Sequence, residues 1–134
     1  MAKSSRSAMR SFYLVGVIMF TLFAALQVND ATQYGNHDAW IWIVLYGTAA
    51  TINLFALLRQ VSLSYLYVWF GFCAGGLLFR IQDDAGNLRL NWLNPSQYLD
   101  NSGAMVQQTN ESGGLVILLL WVLIHIWAAR RAAQ

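Results

Sequence analysis

The chain alternates long apolar runs with polar connections, and four of the runs are long enough to cross a bilayer. The predicted spans are residues 11–28, 39–58, 61–79 and 113–129. At about 1.5 Å rise per residue they reach roughly 25–30 Å, against a hydrocarbon thickness of about 30 Å. None contains proline or a formally charged side chain. The pattern predicts an all-α fold, a four-helix transmembrane bundle that forms one integral membrane domain over residues 1–134.

Composition supports the lipid bilayer as the solvent of this chain. Of its 134 residues, 57% are hydrophobic and 10% are charged, whereas a soluble domain carries about 25% charged residues. A soluble domain of this size has too much surface to hide so many apolar side chains. The single cysteine, Cys73, excludes an internal disulfide and cannot form a metal site alone.

The charges indicate how the protein sits in the membrane. Four spans place both termini on one side, together with six of the eight cations: Lys3, Arg6, Arg10, Arg59, Arg130 and Arg131. The other side holds two cations and all six acids: Arg80, Arg89, Asp30, Asp38, Asp83, Asp84, Asp100 and Glu111. Cytoplasmic loops attract Lys and Arg, so we expect cytoplasmic termini in a plasma or bacterial inner membrane. The cations act as orientation signals near lipid headgroups, and nucleic acid is not an expected partner.

Two loops lie on the predicted outer side, over residues 29–38 and 80–112. The second has 33 residues, more than a simple connection needs. A turn signal at residues 84–87 and a helix-start signal at Asn94-Pro95 predict a small lid of short elements.

Helix polarity explains several polar residues of the outer side. Asp38 and Glu111 precede the second and fourth spans, where an acidic cap is favourable at the positive helix end. Arg80 suits the negative end of the third span, and Asp83 or Asp84 can pair with it at i+3 or i+4. None of these residues requires a ligand.

Asp30 is harder to explain, because it follows the negative end of the first span. Gln27 lies one turn earlier, just inside the membrane, where an unpaired amide is costly. We predict a structural polar cluster in which Asp30 pairs with Arg80, beside Gln27 and Asn29. His37 or a bound metal ion is an alternative partner for Asp30.

The outer acids also suggest a ligand site. If they converge, they offer an oxygen-rich site for Ca²⁺ or Mg²⁺ or, with the histidine, a transition metal. The candidate ligands are Asp30, His37, Asp38, Asp83, Asp84 and Glu111. No spacing among them matches a specific metal motif, and a solvated acidic loop is the competing interpretation.

Two further polar residues, Asn53 and His125, lie inside predicted spans at similar depth. We favour a neutral His125 hydrogen-bonded to Asn53 or to a tyrosine, Tyr65 or Tyr67, from the same side. A haem ligand or a proton relay is the alternative role for an intramembrane histidine.

The third span also carries a G-x-x-x-G pair, Gly71 and Gly75. Small residues at this spacing let helix backbones approach closely in lipid. They therefore indicate packing within the protein or contact with another membrane protein.

Short motifs at both ends of the chain resemble those of the transmembrane-220 family, small four-helix membrane proteins. The residues involved are Gln27, Asn29, Asp30, Trp40, Tyr46, Glu111, Gly113, Gly114 and Leu115. The family tends to continue with Pro-Asp after Asn-Asp, whereas this chain has Ala31-Thr32. The resemblance implies the four-helix fold and no particular activity.

These observations favour a non-catalytic accessory or assembly subunit that contacts a partner through its outer face and lipid-facing glycines. The expected partners are the bilayer and a larger membrane complex or a homo-oligomer. Cation or small polar ligand binding at Asp30, His37 and Asp38 is the alternative. An oligomeric transporter or membrane enzyme is less favoured, because no nucleophile–base pair is recognisable. No motif implies a cofactor.

Overall fold

The computed structural model describes residues 3–29, 38–59, 61–82, 85–88 and 107–132. These residues form four α-helices: α1 (Lys3–Leu26), α2 (Ala39–Leu58), α3 (Leu63–Arg80) and α4 (Gln107–Ala132). A single turn of 3₁₀ helix, η1 (Gln27–Asn29), follows α1 directly. All four helices are long and apolar enough to cross a membrane. The predicted all-α fold with four transmembrane helices is confirmed.

Two helices begin earlier than the apolar runs that predict them. Helix α1 begins at Lys3 and α4 at Gln107, although the predicted spans begin at residues 11 and 113. Polar side chains continue a helix readily where it leaves the lipid, because its backbone hydrogen bonds are satisfied within the helix. Residues 107–112, which we assigned to the second loop, therefore belong to α4.

The chain divides into two compact units, and residues 1–62 with residues 131–134 form the first. Its helices α1 and α2 pack against each other, and η1 also contacts α2. The buried side chains of this hairpin come mainly from the second helix: Phe20, Ala39, Trp42, Leu45, Tyr46, Ala49 and Asn53. The first unit is thus an antiparallel helix hairpin with an aromatic core.

The second unit comprises residues 63–130 and contains α3 and all of α4 except its last two residues. Helix α3 buries one narrow face, on which Leu66 and Cys73 lie two turns apart. Over residues 111–132, the buried residues of α4 are Glu111, Ser112, Gly114, Leu115, Leu118, Val122, His125, Ile126 and Ala128. The opposite face of α3 is apolar and exposed, as expected for a helix in contact with lipid.

A tight turn follows α3. Gln82 and Leu88 form an isolated antiparallel bridge, and Gly86 between them has a φ of +80°. Glycine adopts this left-handed conformation without a side-chain clash, and Gly86 lies in the segment for which a turn was predicted. Residues 89–106 of the predicted lid, which include Asn94-Pro95, lie outside the described residues.

Candidate functional site

Four aromatic side chains gather between α1 and α2. Tyr46 stands at the centre, with ring centroids 5.3 Å from Phe23, 6.2 Å from Phe20 and 5.7 Å from Trp42. The Phe23 ring meets Tyr46 edge-on, and the Phe20 ring stacks on it. Offset-stacked and edge-to-face pairs are the favourable geometries for aromatic rings. We call these four residues the aromatic cluster.

Below the aromatic cluster, α1 and α2 approach each other closely at Gly16. The Asn53 carboxamide lies against the Gly16 backbone, and a Cβ built at Gly16 would overlap it, with Nδ2 only 2.8 Å away. Asn53 is 1% exposed, and its Nδ2 donates to the carbonyl oxygen of Ala49 at 2.8 Å. Only glycine leaves room for this packing.

These contacts fix the register of the hairpin. Gly16 of α1 faces Asn53 of α2. Phe23, seven residues after Gly16, faces Tyr46, seven residues before Asn53, so the two helices run antiparallel. The same antiparallel register places Gln27, in η1, level with Trp42 near the start of α2. The polar turn at the end of α1 therefore stands beside the first turns of α2.

Trp42 carries an unusual polar group in this region. The residue is 4% exposed, and its indole Nε1 is buried without a hydrogen-bond partner among the described residues. A buried donor that lacks a partner costs free energy relative to a donor in water. The contribution of Trp42 to the hairpin is therefore its packing against Tyr46.

Asp38 occupies the N-cap position of α2, as predicted, but its side chain does not cap the helix. Its backbone, at φ −105° and ψ 11°, is not in the extended conformation from which a cap side chain usually reaches the first turn. The Ile41 N–H instead donates to the carbonyl oxygen of Asp38 at 2.9 Å. The predicted side-chain cap is wrong for this reason.

In the second unit, an ion pair joins the end of α3 to the beginning of α4. Arg80 Nη1 lies 2.7 Å from Glu111 Oε2, and the two side chains are 32% and 4% exposed. One turn away on each helix, a Cβ at Gly76 would lie 3.5 Å from a methyl carbon of Leu115. The two contacts set an antiparallel register between α3 and α4.

The comparison with protein families assigns the chain. The model of the family described as "Transmembrane family 220, helix" matches residues 19–127, from within α1 to within two turns of the end of α4. The chain belongs to this family. No curated protein and no solved structure matches it.

Within this transmembrane-220 member, the residues that carried the family resemblance occupy different environments. Tyr46 is central to the aromatic cluster, whereas Trp40 is 64% exposed and faces away from the hairpin. Glu111 is buried in the ion pair with Arg80. Gln27 and Asn29 form η1, and Asp30 lies outside the described residues.

Glu111 differs from its predicted role. We placed it before the fourth helix as a cap, but α4 begins at Gln107, so Glu111 lies just over one turn inside the helix. There its carboxylate is buried, and Arg80 supplies the compensating charge. The other predicted partners of Arg80 are Asp30, Asp83 and Asp84. All three lie outside the described residues, so those pairings stay predictions.

Most of the candidate metal ligands also lie outside the described residues. Asp30, His37, Asp83 and Asp84 lie outside the described residues. Among the residues that are described, no group of three His, Cys, Asp or Glu side chains is placed to hold a metal ion.

The two polar residues inside the spans are both buried, Asn53 in the first unit and His125 in the second. Tyr65 and Tyr67, the tyrosines considered as partners of His125, are exposed on α3. Exposed tyrosines near a helix end are typical of the membrane interface. Hydrogen bonding of His125 to Asn53 stays a prediction.

The glycines of the G-x-x-x-G motif are not the ones at which two described helices pack closely. Gly71 and Gly75 of the G-x-x-x-G pair are exposed, and a Cβ at either would have no described atom within 4 Å. The close backbone approach occurs at Gly16, which no motif marks. A buried glycine facing a buried amide is visible only once the helix register is known.

Proposed function

We propose that this protein is a non-catalytic accessory or assembly subunit, which contacts a membrane partner through α3 and its outer face. The observation that carries the proposal is the outward position of Gly71 and Gly75. Both glycines are exposed, and the described residues leave open space above them.

The glycine pair lies within a continuous exposed stripe of α3. At 100° per residue, Val68, Phe72 and Phe79 fall on the same face as the two glycines, and all three are exposed. The buried residues Leu66 and Cys73 lie on the far side of the helix. Lipid accounts for exposed apolar side chains, whereas a small-residue pair specifically favours close approach of another helix.

The partner can be tested by purification in a mild detergent. We expect the wild-type protein to return with a second membrane protein or a second copy of itself. Leucine at both Gly71 and Gly75 fills the seam between Val68 and Phe79 and should release that partner. Gly47→Leu is the matched control, because Gly47 also lies in a span with open space around its Cβ. A wild-type protein that returns only as a monomer would contradict the proposal.

We also propose that both termini are cytoplasmic and that the protein resides in a plasma or bacterial inner membrane. The support is the excess of Lys and Arg at the termini and at Arg59. In a Cys73→Ala background, an impermeant thiol reagent applied to intact cells should label Ala85→Cys and leave Ser4→Cys unlabelled. The reverse pattern would invert the assignment.

A further inference from the structure

The first eight residues of α1 extend the helix beyond its predicted span. Helix α1 begins at Lys3, whereas the predicted span begins at residue 11. At 1.5 Å per residue, residues 3–10 add about 12 Å of helix, enough to cross a headgroup layer of roughly 5–8 Å. At 100° per residue, the positions of Lys3, Arg6 and Arg10 fall within about 60° of one another. We call residues 3–10 the basic arm, because its three cations occupy positions on one helical face.

The register of the hairpin places a fourth cation level with this arm. Gly16 faces Asn53. Arg10 lies six residues before Gly16 and Arg59 lies six residues after Asn53, so the two arginines stand at the same height at one end of the hairpin. Both are exposed. Packed helices lie about 8–10 Å apart, which is close to the Debye length at physiological salt. The two like charges therefore repel unless an anion lies between or beside them.

The sequence supplies no anion at this end of the hairpin. Residues 1–29 and 39–82 contain no aspartate or glutamate. Asp38 precedes the 20 residues of α2, so it lies about 30 Å from Arg59 along the helix axis, well beyond the range of screened attraction. The anions that compensate Arg10 and Arg59 must therefore come from outside the hairpin.

We propose that this end of the hairpin is a docking surface for anionic phospholipids, with Arg10 and Arg59 contacting their phosphates. Clustered cations beside a membrane-spanning helix attract anionic headgroups. The surface below Arg10 suits the acyl chains of the same lipid, because Leu14 and Ile18 follow at i+4 and i+8 and are both more than half exposed. The proposal goes beyond the accessory role and does not depend on which side of the membrane the termini face.

The test uses the whole protein, stripped of lipid in mild detergent, and measures bound lipid by native mass spectrometry. The probes are phosphatidylglycerol, whose headgroup carries a net negative charge, and phosphatidylcholine with the same acyl chains, whose headgroup is neutral overall. We expect about tenfold tighter binding of phosphatidylglycerol, because several cations act on one headgroup. Equal binding of the two lipids by the wild-type protein would overturn the proposal.

The informative variant is Arg10→Gln with Arg59→Gln. Both positions are exposed, so the fold should persist, and an unchanged unfolding midpoint verifies this. The variant should bind the two lipids about equally. A tenfold preference that survives in it would place the headgroup elsewhere and overturn the assignment to these arginines.

A charge-matched control separates a local surface from net charge. Adding Gln82→Arg to Arg10→Gln restores the net charge at an exposed residue of the predicted outer side. The preference lost in Arg10→Gln, about fivefold for one cation, should stay lost. Its recovery would show that net charge alone controls binding and would overturn the proposal. Displacement of phosphatidylglycerol by an equal concentration of soluble glycerol phosphate would indicate a free-phosphate site and overturn the lipid assignment.

Discussion

The carboxamide of Asn53 lies directly on the backbone of Gly16. This contact brings α1 and α2 together at a point where α1 has no room for a side chain larger than that of glycine. In lipid, close packing replaces the hydrophobic effect as the force that holds helices together. The Gly16–Asn53 contact should therefore matter more to the hairpin than its small area suggests.

The first prediction concerns a single added methyl group. Gly16→Ala should destabilise the protein by about 1–3 kcal/mol, the usual cost of overpacking a tight contact. The free energy of unfolding can be measured by titration with a denaturing detergent. Gly47→Ala, at a span glycine with open space around its Cβ, is the control and should be neutral or slightly stabilising because alanine favours helix.

A second substitution checks the mechanism of that loss. If the clash with the Asn53 carboxamide causes the loss, adding Asn53→Ser to Gly16→Ala should restore part of the lost stability. The shorter serine side chain leaves more room for the alanine methyl group. Losses that simply add in the double variant would show that the two residues act independently.

The Arg80–Glu111 pair supports the second prediction. Arg80→Gln leaves a buried carboxylate without its cation and should cost about 3 kcal/mol or more. Glu111→Gln leaves an arginine that is one-third exposed and can be solvated, so it should cost about 1 kcal/mol. Both values come from the same detergent titration, and equal costs for the two variants would contradict the observed difference in burial.

The four helices and their membrane location follow from the sequence because apolar length alone determines them. The sequence does not show which face of each helix is buried. A helix such as α2 is apolar on all sides, so its hydrophobic pattern does not distinguish a buried face from a lipid-facing one. The burial of Trp42 and the exposure of Trp40 arise from the register that Gly16 and Asn53 impose. That register depends on shape complementarity between two helices.

The sequence was also a poor guide to the partners of charged residues. The apolar run begins at Gly113, so the sequence predicts that Glu111 caps α4. The helix instead starts at Gln107, since glutamine and glutamate are good helix formers. The six additional helical residues, 107–112, move Glu111 from the end to the side of α4, where Arg80 reaches it.

The third prediction separates two aromatic residues of the family motif. Tyr46→Ala removes the ring that Phe20, Phe23 and Trp42 contact and should cost about 3–5 kcal/mol. Trp40→Ala, at an exposed position, should change the free energy of unfolding by no more than about 0.5 kcal/mol. Similar losses for both variants would place Trp40 in an interface that the hairpin alone does not contain.

The fourth prediction tests whether the buried N–H of Trp42 is used. Trp42→Phe keeps most of the contact with Tyr46 but removes a donor that has no partner among the described residues. Removing such a donor should be neutral or stabilising by up to about 1 kcal/mol, because its desolvation is uncompensated. Trp42→Ala also loses the packing and should cost about 3 kcal/mol. If Trp42→Phe instead costs as much as Trp42→Ala, the indole N–H binds an acceptor in the native protein, and the turn beside Gln27 becomes the place to search for it.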